Sequence, residues 1–276
     1  MTTLRHSRDG EQGRKCIFCG CTANSQEHTF ANWLNDVFGP EEVGPTGAEL
    51  FRATPDETEV FTWTAGEIAG QTVKGVCHSC NTGWMAQLEG RAKPVLEPMV
   101  KGGVAQFLDA RQQILIATWA TKSAMVCERM LDGPYEFASH DRRIVMEQDR
   151  PPGHVLVYAS SVQTDVGPLR FSQAAGELAT TDRVPTEVIL HLYTLQVGTL
   201  VLQVMRGDPP ADVARTWADY MPERDRELPL FPPLASGLYW PTKRVLNESE
   251  FLAYTRRMAG LGPPPLLPPG SHVWPQ

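Results

Sequence analysis

Apolar residues along this chain repeat at two periods, and the stretches where each period holds divide it into elements. Phe30, Trp33, Leu34, Val37 and Phe38 recur at the three-four spacing that lays side chains on one helix face, and Gly39-Pro40 ends that run. Residues 40–59, rich in Gly, Pro, Thr and Glu, predict a loop. Val60 with Thr62, and then Gln71–Val76, predict two short strands. A helix is expected from about Thr82, carrying Trp84, Met85 and Leu88. The longest helical pattern covers 104–131, with Phe107, Ile114, Leu115, Trp119, Met125 and Met130 as core candidates. Runs rich in Val, Ile, Leu and Tyr at 143–147, 154–160, 187–195 and 199–206 read as strands, the last two joined by a hairpin at Gln196-Val197-Gly198. Shorter helical patterns occupy 211–220 and 247–259.

The pattern fails at both ends. Residues 1–13 are polar and predict a mobile arm, and six prolines within the seventeen residues of 260–276 leave little to bury, which predicts a disordered tail. Between them the chain is long enough, at 276 residues and 42% hydrophobic content, to bury a full core. The expected division is a small unit over 14–100 and a larger α+β domain over 101–259. No apolar run approaches the roughly eighteen residues of a membrane span, and the first fifteen residues lack a secretory apolar segment. A reducing cytoplasm is therefore the expected setting.

Cysteine spacing changes the picture most. Cys16 and Cys19 form one Cys-x-x-Cys pair and Cys77 and Cys80 another, and each short turn can aim two sulfurs at one ion, so the four can close a tetrahedral zinc site. In a reducing compartment such pairs are metal ligands rather than disulfides. Between the pairs stands Glu27-His28, and Asn81 follows the second pair directly. Cys21 lies just past the first pair and reads as a neighbouring free thiol, Cys127 as core.

Charge limits the partners. Residues 1–100 hold eight Lys/Arg against thirteen Asp/Glu, so any nucleic-acid contact has to be local. The candidate basic spots are Arg5, Arg8, Arg14 and Lys15, then Arg142-Arg143, Lys243-Arg244 and Arg256-Arg257. There is no internal repeat, no phosphate-cradling Gly-rich loop and no Gly-x-Ser-x-Gly elbow.

The order Cys-x-x-Cys, Glu27-His28, Cys-x-x-Cys-Asn81 resembles the zinc-ribbon branch of the HNH endonucleases. The longer wording Glu27-His28-Thr29-Phe30-Ala31-Asn32-Trp33-Leu34, with Cys80-Asn81-Thr82-Gly83-Trp84-Met85, is similar to bacterial proteins of that kind. The resemblance covers residues 14–90. It implies an α+β chain whose N-terminal zinc-bound ββα-metal (HNH-like) module precedes the larger α+β domain. It implies metal-dependent hydrolysis of phosphodiester bonds, with DNA as partner and no membrane. His28 would be the general base, Glu27 and Asn81 would hold Mg²⁺ or Mn²⁺, and Cys16, Cys19, Cys77 and Cys80 would hold a structural zinc. The larger domain could select the target, form a homodimer face or restrain the module.

Other readings stay open at this point. Asn24-x-x-Glu27 also fits a helix N-cap with a reciprocating carboxylate, and Asn81 can cap the helix it opens. The family's middle Asn or His has no clear counterpart, since Asn32 and Asn35 fall early and Gln71 and Thr72 are weak substitutes. A non-catalytic zinc module with a degenerate site, binding nucleic acid or protein, is therefore the alternative. A third reading makes Cys21 the attacking thiol of a redox-sensing zinc switch.

Overall fold

The computed structural model describes residues 14–38, 46–53, 58–65, 72–102, 104–130, 137–163, 167–179, 187–207 and 225–256. In chain order its strands are β1 (Ser25–His28), β2 (Thr46–Ala53), β3 (Thr58–Ala65), β4 (Thr72–Val76), β5 (Gln106–Leu108), β6 (Val155–Ser161), β7 (Leu169–Ala179), β8 (Glu187–Val197), β9 (Leu200–Arg206), β10 (Leu228–Phe231) and β11 (Leu238–Trp240). Its helices are α1 (Leu34–Val37), α2 (His78–Cys80), α3 (Ala86–Lys101), α4 (Ala110–Cys127), α5 (Ser139–Gln148) and α6 (Glu248–Arg256). The mixture of helix and sheet makes the fold α+β. The expected arm, the 211–220 helix and the tail lie outside the described residues. Among the described residues no helix is long and apolar enough to cross a membrane.

Helix α4 is the element against which α3, α5, β4 and most strands of the main sheet pack. Asp109 starts it with a reciprocal cap: its carboxylate accepts from the Gln112 N–H at 2.8 Å, and the Gln112 side chain accepts from the Asp109 N–H at 3.0 Å. From Ile116 to Cys127 every side chain is buried, which the small Ala117, Ala120, Ser123 and Ala124 make feasible by admitting neighbours on all sides. One side of α4 meets a five-stranded antiparallel sheet in the order β10-β6-β9-β8-β7. Another side meets α3 and β4. Strand alternation sends Leu200, Leu202 and Val204 toward α4 and Val201 the other way, where it packs with Phe251 and Tyr254 of α6. A single hydrophobic cluster runs from Cys16 and Phe18 through Leu88 and Trp119 to Trp240, so residues from both expected units contribute to one core.

Two polar devices hold this stack in register. Glu128, just past α4, accepts from Arg142 at 2.8 Å and from the Tyr193 hydroxyl, which ties α4 to α5 and β8. Burial pushes its carboxyl above the usual range, against the pull of those donors. At the β8–β9 turn, Gly198 has φ +57°, and a Cβ there would stand 2.3 Å from the Val100 carbonyl oxygen. The adjacent Thr199 donates from its N–H to Val100 O (3.0 Å) and from its hydroxyl to Met99 O (2.8 Å), so the turn satisfies carbonyls at the end of α3.

Several expectations change. Residues 143–147 are not a strand but part of α5, because the buried positions Asp141, Arg142 and Val145 follow helical spacing and the Asp141 carboxylate accepts the Ala138 N–H at 3.2 Å. The expected Phe30–Phe38 helix shrinks to α1. Its approach is built from tighter bonds, Leu34 N–H to Ala31 O and Asn35 N–H to Asn32 O, as the chain turns away from β1. Within the expected 40–59 loop lies β2, paired along its length with β3 from Thr46↔Ala65 to Ala53↔Thr58. The ladder supplies hydrogen bonds that composition does not advertise. Strand β7 was not expected, whereas β6, β8, β9 and the Gly198 hairpin fall where the pattern put them.

His191, cross-strand from Arg206 on β9, generates a pH prediction. Burial first, then the Arg206 charge, lowers its imidazole from 6.5 to about 4. A depressed folded value means that the unfolded chain takes the proton first on acidification, so stability falls as pH drops from 6.5 through about 4. This group alone should account for a loss on the order of 3 kcal/mol across that window in denaturant titrations. Its ring carbon-bound proton should titrate near 4 by NMR, and a midpoint close to 6.5 would refute the assignment.

Candidate metal centre

The first cysteine pair sits on a tight hairpin. Lys15 and Thr22 form an antiparallel bridge, the Ala23 N–H donates to Arg14 O at 2.8 Å, and the Cys16 N–H donates to Cys21 O at 2.6 Å. Gly20, at φ +75°, makes the return and donates to Cys16 O at 2.9 Å. The Ile17 N–H reaches Gly75 O at 2.9 Å, fastening the hairpin to β4. The second pair straddles a helix start. Cys77 is extended (φ −88°, ψ 158°) and Cys80 closes α2, with the Asn81 N–H on Cys77 O at 3.0 Å. Asn24 serves this helix: its Oδ1 accepts from the His78 N–H at 2.9 Å. Helix therefore begins at His78 rather than near Thr82. Asn24 caps this start, while Glu27 lies in β1 instead of a first helical turn.

The four sulfurs of Cys16, Cys19, Cys77 and Cys80 lie within 4.8 Å of one another, with Cys19 Sγ and Cys77 Sγ 3.5 Å apart. Tetrahedral zinc with bonds of about 2.3 Å needs sulfurs about 3.8 Å apart, so the set fits a structural zinc. Among the described residues the cluster consists of four soft donors, a set that suits a closed site. Cys16, Cys77 and Cys80 are buried and Cys19 is exposed; Phe18 and Trp84 cover the centre, rings edge to face at 4.9 Å. Burial opposes ionisation at Cys16, but the N–H groups of Cys19, Cys77 and Phe18 bring its thiol down to about 7. Burial pushes Cys77 and Cys80 up. Cys21 is exposed and outside the cluster. Cys127 is core, its thiol on Thr29 O at 3.8 Å and pushed up to about 12 by burial.

This centre joins β1 to the helix that follows β4. Strands β1 and β4 pair antiparallel, Gln26↔Lys74, Glu27↔Val73 and His28↔Thr72, with an irregularity between Ser25 and Gln26. After α2 the helix widens through a kinked turn at Asn81–Met85, where Gly83 (φ −92°, ψ −110°) leaves helical geometry, and continues as α3. From that turn the Asn81 amide nitrogen donates to Ser25 Oγ at 2.9 Å and to Gln26 O at 3.2 Å. Asn81 thus grips β1 just before Glu27.

Glu27 and His28 part company. Glu27 is 5% exposed and its Oε1 stands 3.8 Å from Lys122 Nζ on α4. Lys122, itself 2% exposed, donates to Glu89 Oε1 on α3 at 2.8 Å. Burial raises the Glu27 carboxyl to about 7, with Lys122 pulling down and Glu89 pushing up. The two carboxylates hold the Lys122 ammonium above its ordinary range despite burial. His28, half-buried, leaves the strand on the opposite side.

Lys122 and Glu89 were missing from the residues singled out by sequence. The signal was there: Lys122 is the one charged residue in the Ile114–Val126 stretch, and a charge inside an apolar helical run marks a buried, paired group. The basic spots fare differently. Arg142 is buried on Glu128, and Lys243 and Arg244 pair with Asp225 and Glu250.

Replacing Cys77 or Cys80 by Ser should abolish stoichiometric zinc, read by metal analysis, and lower the melting temperature sharply, because binding energy at such a site is folding energy. Cys21→Ser should keep one zinc per chain; loss of zinc there would mean that the ligand set is different. The chain matches no family model, no curated protein and no solved structure.

Proposed function

We propose that the protein is a metal-dependent endonuclease of the HNH type, hydrolysing phosphodiester bonds in DNA. The observation that carries this reading is the grip of Asn81 on β1: an antiparallel strand pair and a helix, fastened by four cysteines, bring Asn81 and the Glu27-His28 strand together. His28, half-buried and so still reached by solvent, is the residue to take a proton from the attacking water. Asn81 donates from its amide nitrogen to β1, which leaves its Oδ1 as a donor for a hard ion, the oxygen type that the Glu27 carboxylate would also supply. Mg²⁺ or Mn²⁺ held there would stabilise charge on the phosphate and leaving oxygen. Zinc keeps the frame and takes no part in the chemistry. The 101–259 region is the part to choose the target or supply a homodimer face.

One observation favours a second reading. Glu27 points inward to Lys122, so its charge already has a partner, and a non-catalytic zinc module that binds nucleic acid or protein would keep that arrangement unchanged.

Cleavage of supercoiled plasmid and single-stranded DNA with Mg²⁺ or Mn²⁺ separates the two. Native protein should cut, and His28→Ala, shown to keep its zinc, should cut about 10²- to 10⁴-fold more slowly. If native protein cuts no substrate with either ion, the binding-module reading takes over.

A further inference from the structure

Among the described residues four large apolar side chains are exposed, Val104, Phe107, Tyr239 and Val245, and two of them stand together. Phe107 on β5 is directly cross-strand from Tyr239 on β11. Their ring centroids are 5.1 Å apart and the rings are tilted by 60°, so they form the two walls of a shallow notch. Tyr239 is 75% exposed and Phe107 47%. A single exposed apolar residue is ordinary, whereas two aromatic rings in contact are a patch of the kind that marks a contact surface.

The ribbon beneath the rings is firmly held. Strand alternation turns Leu108, Leu238 and Trp240 into the core and Phe107 and Tyr239 outward. Gln113, wholly buried on α4, clamps both arms: its Nε2 donates to Leu108 O at 3.0 Å and to Leu234 O at 3.2 Å, and its Oε1 accepts from the Leu234 N–H at 2.8 Å. Gln106 on β5 donates to Val95 O on α3 at 3.0 Å. Gly237, at φ +74°, lets the backbone pass under the Phe107 ring, where a Cβ would stand 2.1 Å from Cζ. Two rings that the core does not use are thus fixed in place, and fixed aromatic rings lose little freedom when something binds to them.

The same chain carries a segment that suits the notch. Twenty residues follow Arg256, and from Met258 to Gln276 they include no Asp, Glu, Lys or Arg. Pro263-Pro264-Pro265-Leu266-Leu267-Pro268-Pro269 is the kind of sequence that favours polyproline II, the form that aromatic-lined notches recognise through its proline rings. Its reach is sufficient. From Trp240 through an extended linker and the nine-residue α6 the chain spans about 40 Å at most, whereas twenty residues of polyproline II span about 60 Å.

We propose that the 263–269 segment docks in polyproline II form on the Phe107–Tyr239 notch of its own chain. Proline rings lie on the two aromatic faces, and the Tyr239 hydroxyl can donate to a segment carbonyl, since polyproline II gives its carbonyls no internal partner. The inference goes beyond the nuclease reading and is independent of it.

The test uses the full zinc-loaded chain with carbon-13 in its Tyr and Phe rings, and a synthetic peptide of residues 258–276 as probe. In the native chain NMR should show nuclear Overhauser contacts from Tyr239 to proline ring protons, with those protons shifted upfield by the aromatic rings. Tyr239→Ser should abolish both and keep the fold, because that side chain is exposed. Pro264→Ser, Pro265→Ser, Pro268→Ser and Pro269→Ser combined in the full chain should empty the notch. The added peptide should then bind that variant about ten-fold more tightly than the native chain, where the resident segment competes. Should Tyr239→Ser disturb the ribbon, the proline variant decides, since it leaves every described residue unchanged. Absence of the ring contacts, with peptide binding equal for both chains or undetectable for both, overturns the proposal. Contacts that fade on dilution as sedimentation shows dimers giving way to monomers overturn it in favour of the segment of a second copy.

Discussion

Convergence of four sulfurs from positions 58 residues apart is the constraint on which the N-terminal part of the structure depends. A chain segment of that length closes at an entropic cost that grows only slowly with its length, and a metal ion held by the four sulfurs would repay it through bonds worth far more than any single hydrogen bond. Once the sulfurs meet, little freedom remains. The first hairpin is pinned to β4 through Ile17 and Gly75, β4 is pinned to β1 by its ladder, and the helix must start at His78. Asn81 follows directly on that start, so its reach to Ser25 and Gln26 is a consequence of the cysteine frame.

The frame would be a small, separate object if it ended there, and it does not. Helix α3 carries the constraint from the cysteines into the main core, where it lies on α4 and ends under the Gly198 turn. Since α4 also carries the five-stranded sheet, the thiol centre and the sheet share one buried helix. Lys122 sits where these two systems meet.

Much of the candidate site was legible from spacing. Two Cys-x-x-Cys pairs force a tetrahedral reading because a two-residue turn leaves the sulfurs few other directions, and the sulfurs do converge. Asn81 adjoining the second pair had to lie near the centre for the same reason. Glu27 and His28 were harder. Adjacent residues on a strand leave it on opposite sides, but only knowing that 25–28 is a strand makes this relevant, and the capping pattern Asn24-x-x-Glu27 argued for a helix. The competition was settled by pairing with β4, a contact across more than forty residues.

The same division runs through the whole chain. Sequence by itself determined the β8–β9 hairpin with its required glycine, the two cysteine pairs, whose short turns are local, and the body of the long helix; of the 104–131 span expected to be helical, 106–108 is instead strand β5 paired with β11, and Phe107, expected in the core, is exposed. Tertiary structure alone decided that 46–53 pairs as a strand, that 143–147 belongs to a helix, and that Glu27 turns inward to Lys122 and Glu89. For Glu27 the deciding partners lie far along the chain, whereas 46–53 pairs with the neighbouring 58–65 and 143–147 is held by contacts within α5 itself. Local propensity carries only tenths of a kcal/mol per residue, and burial or pairing with a distant partner outweighs it.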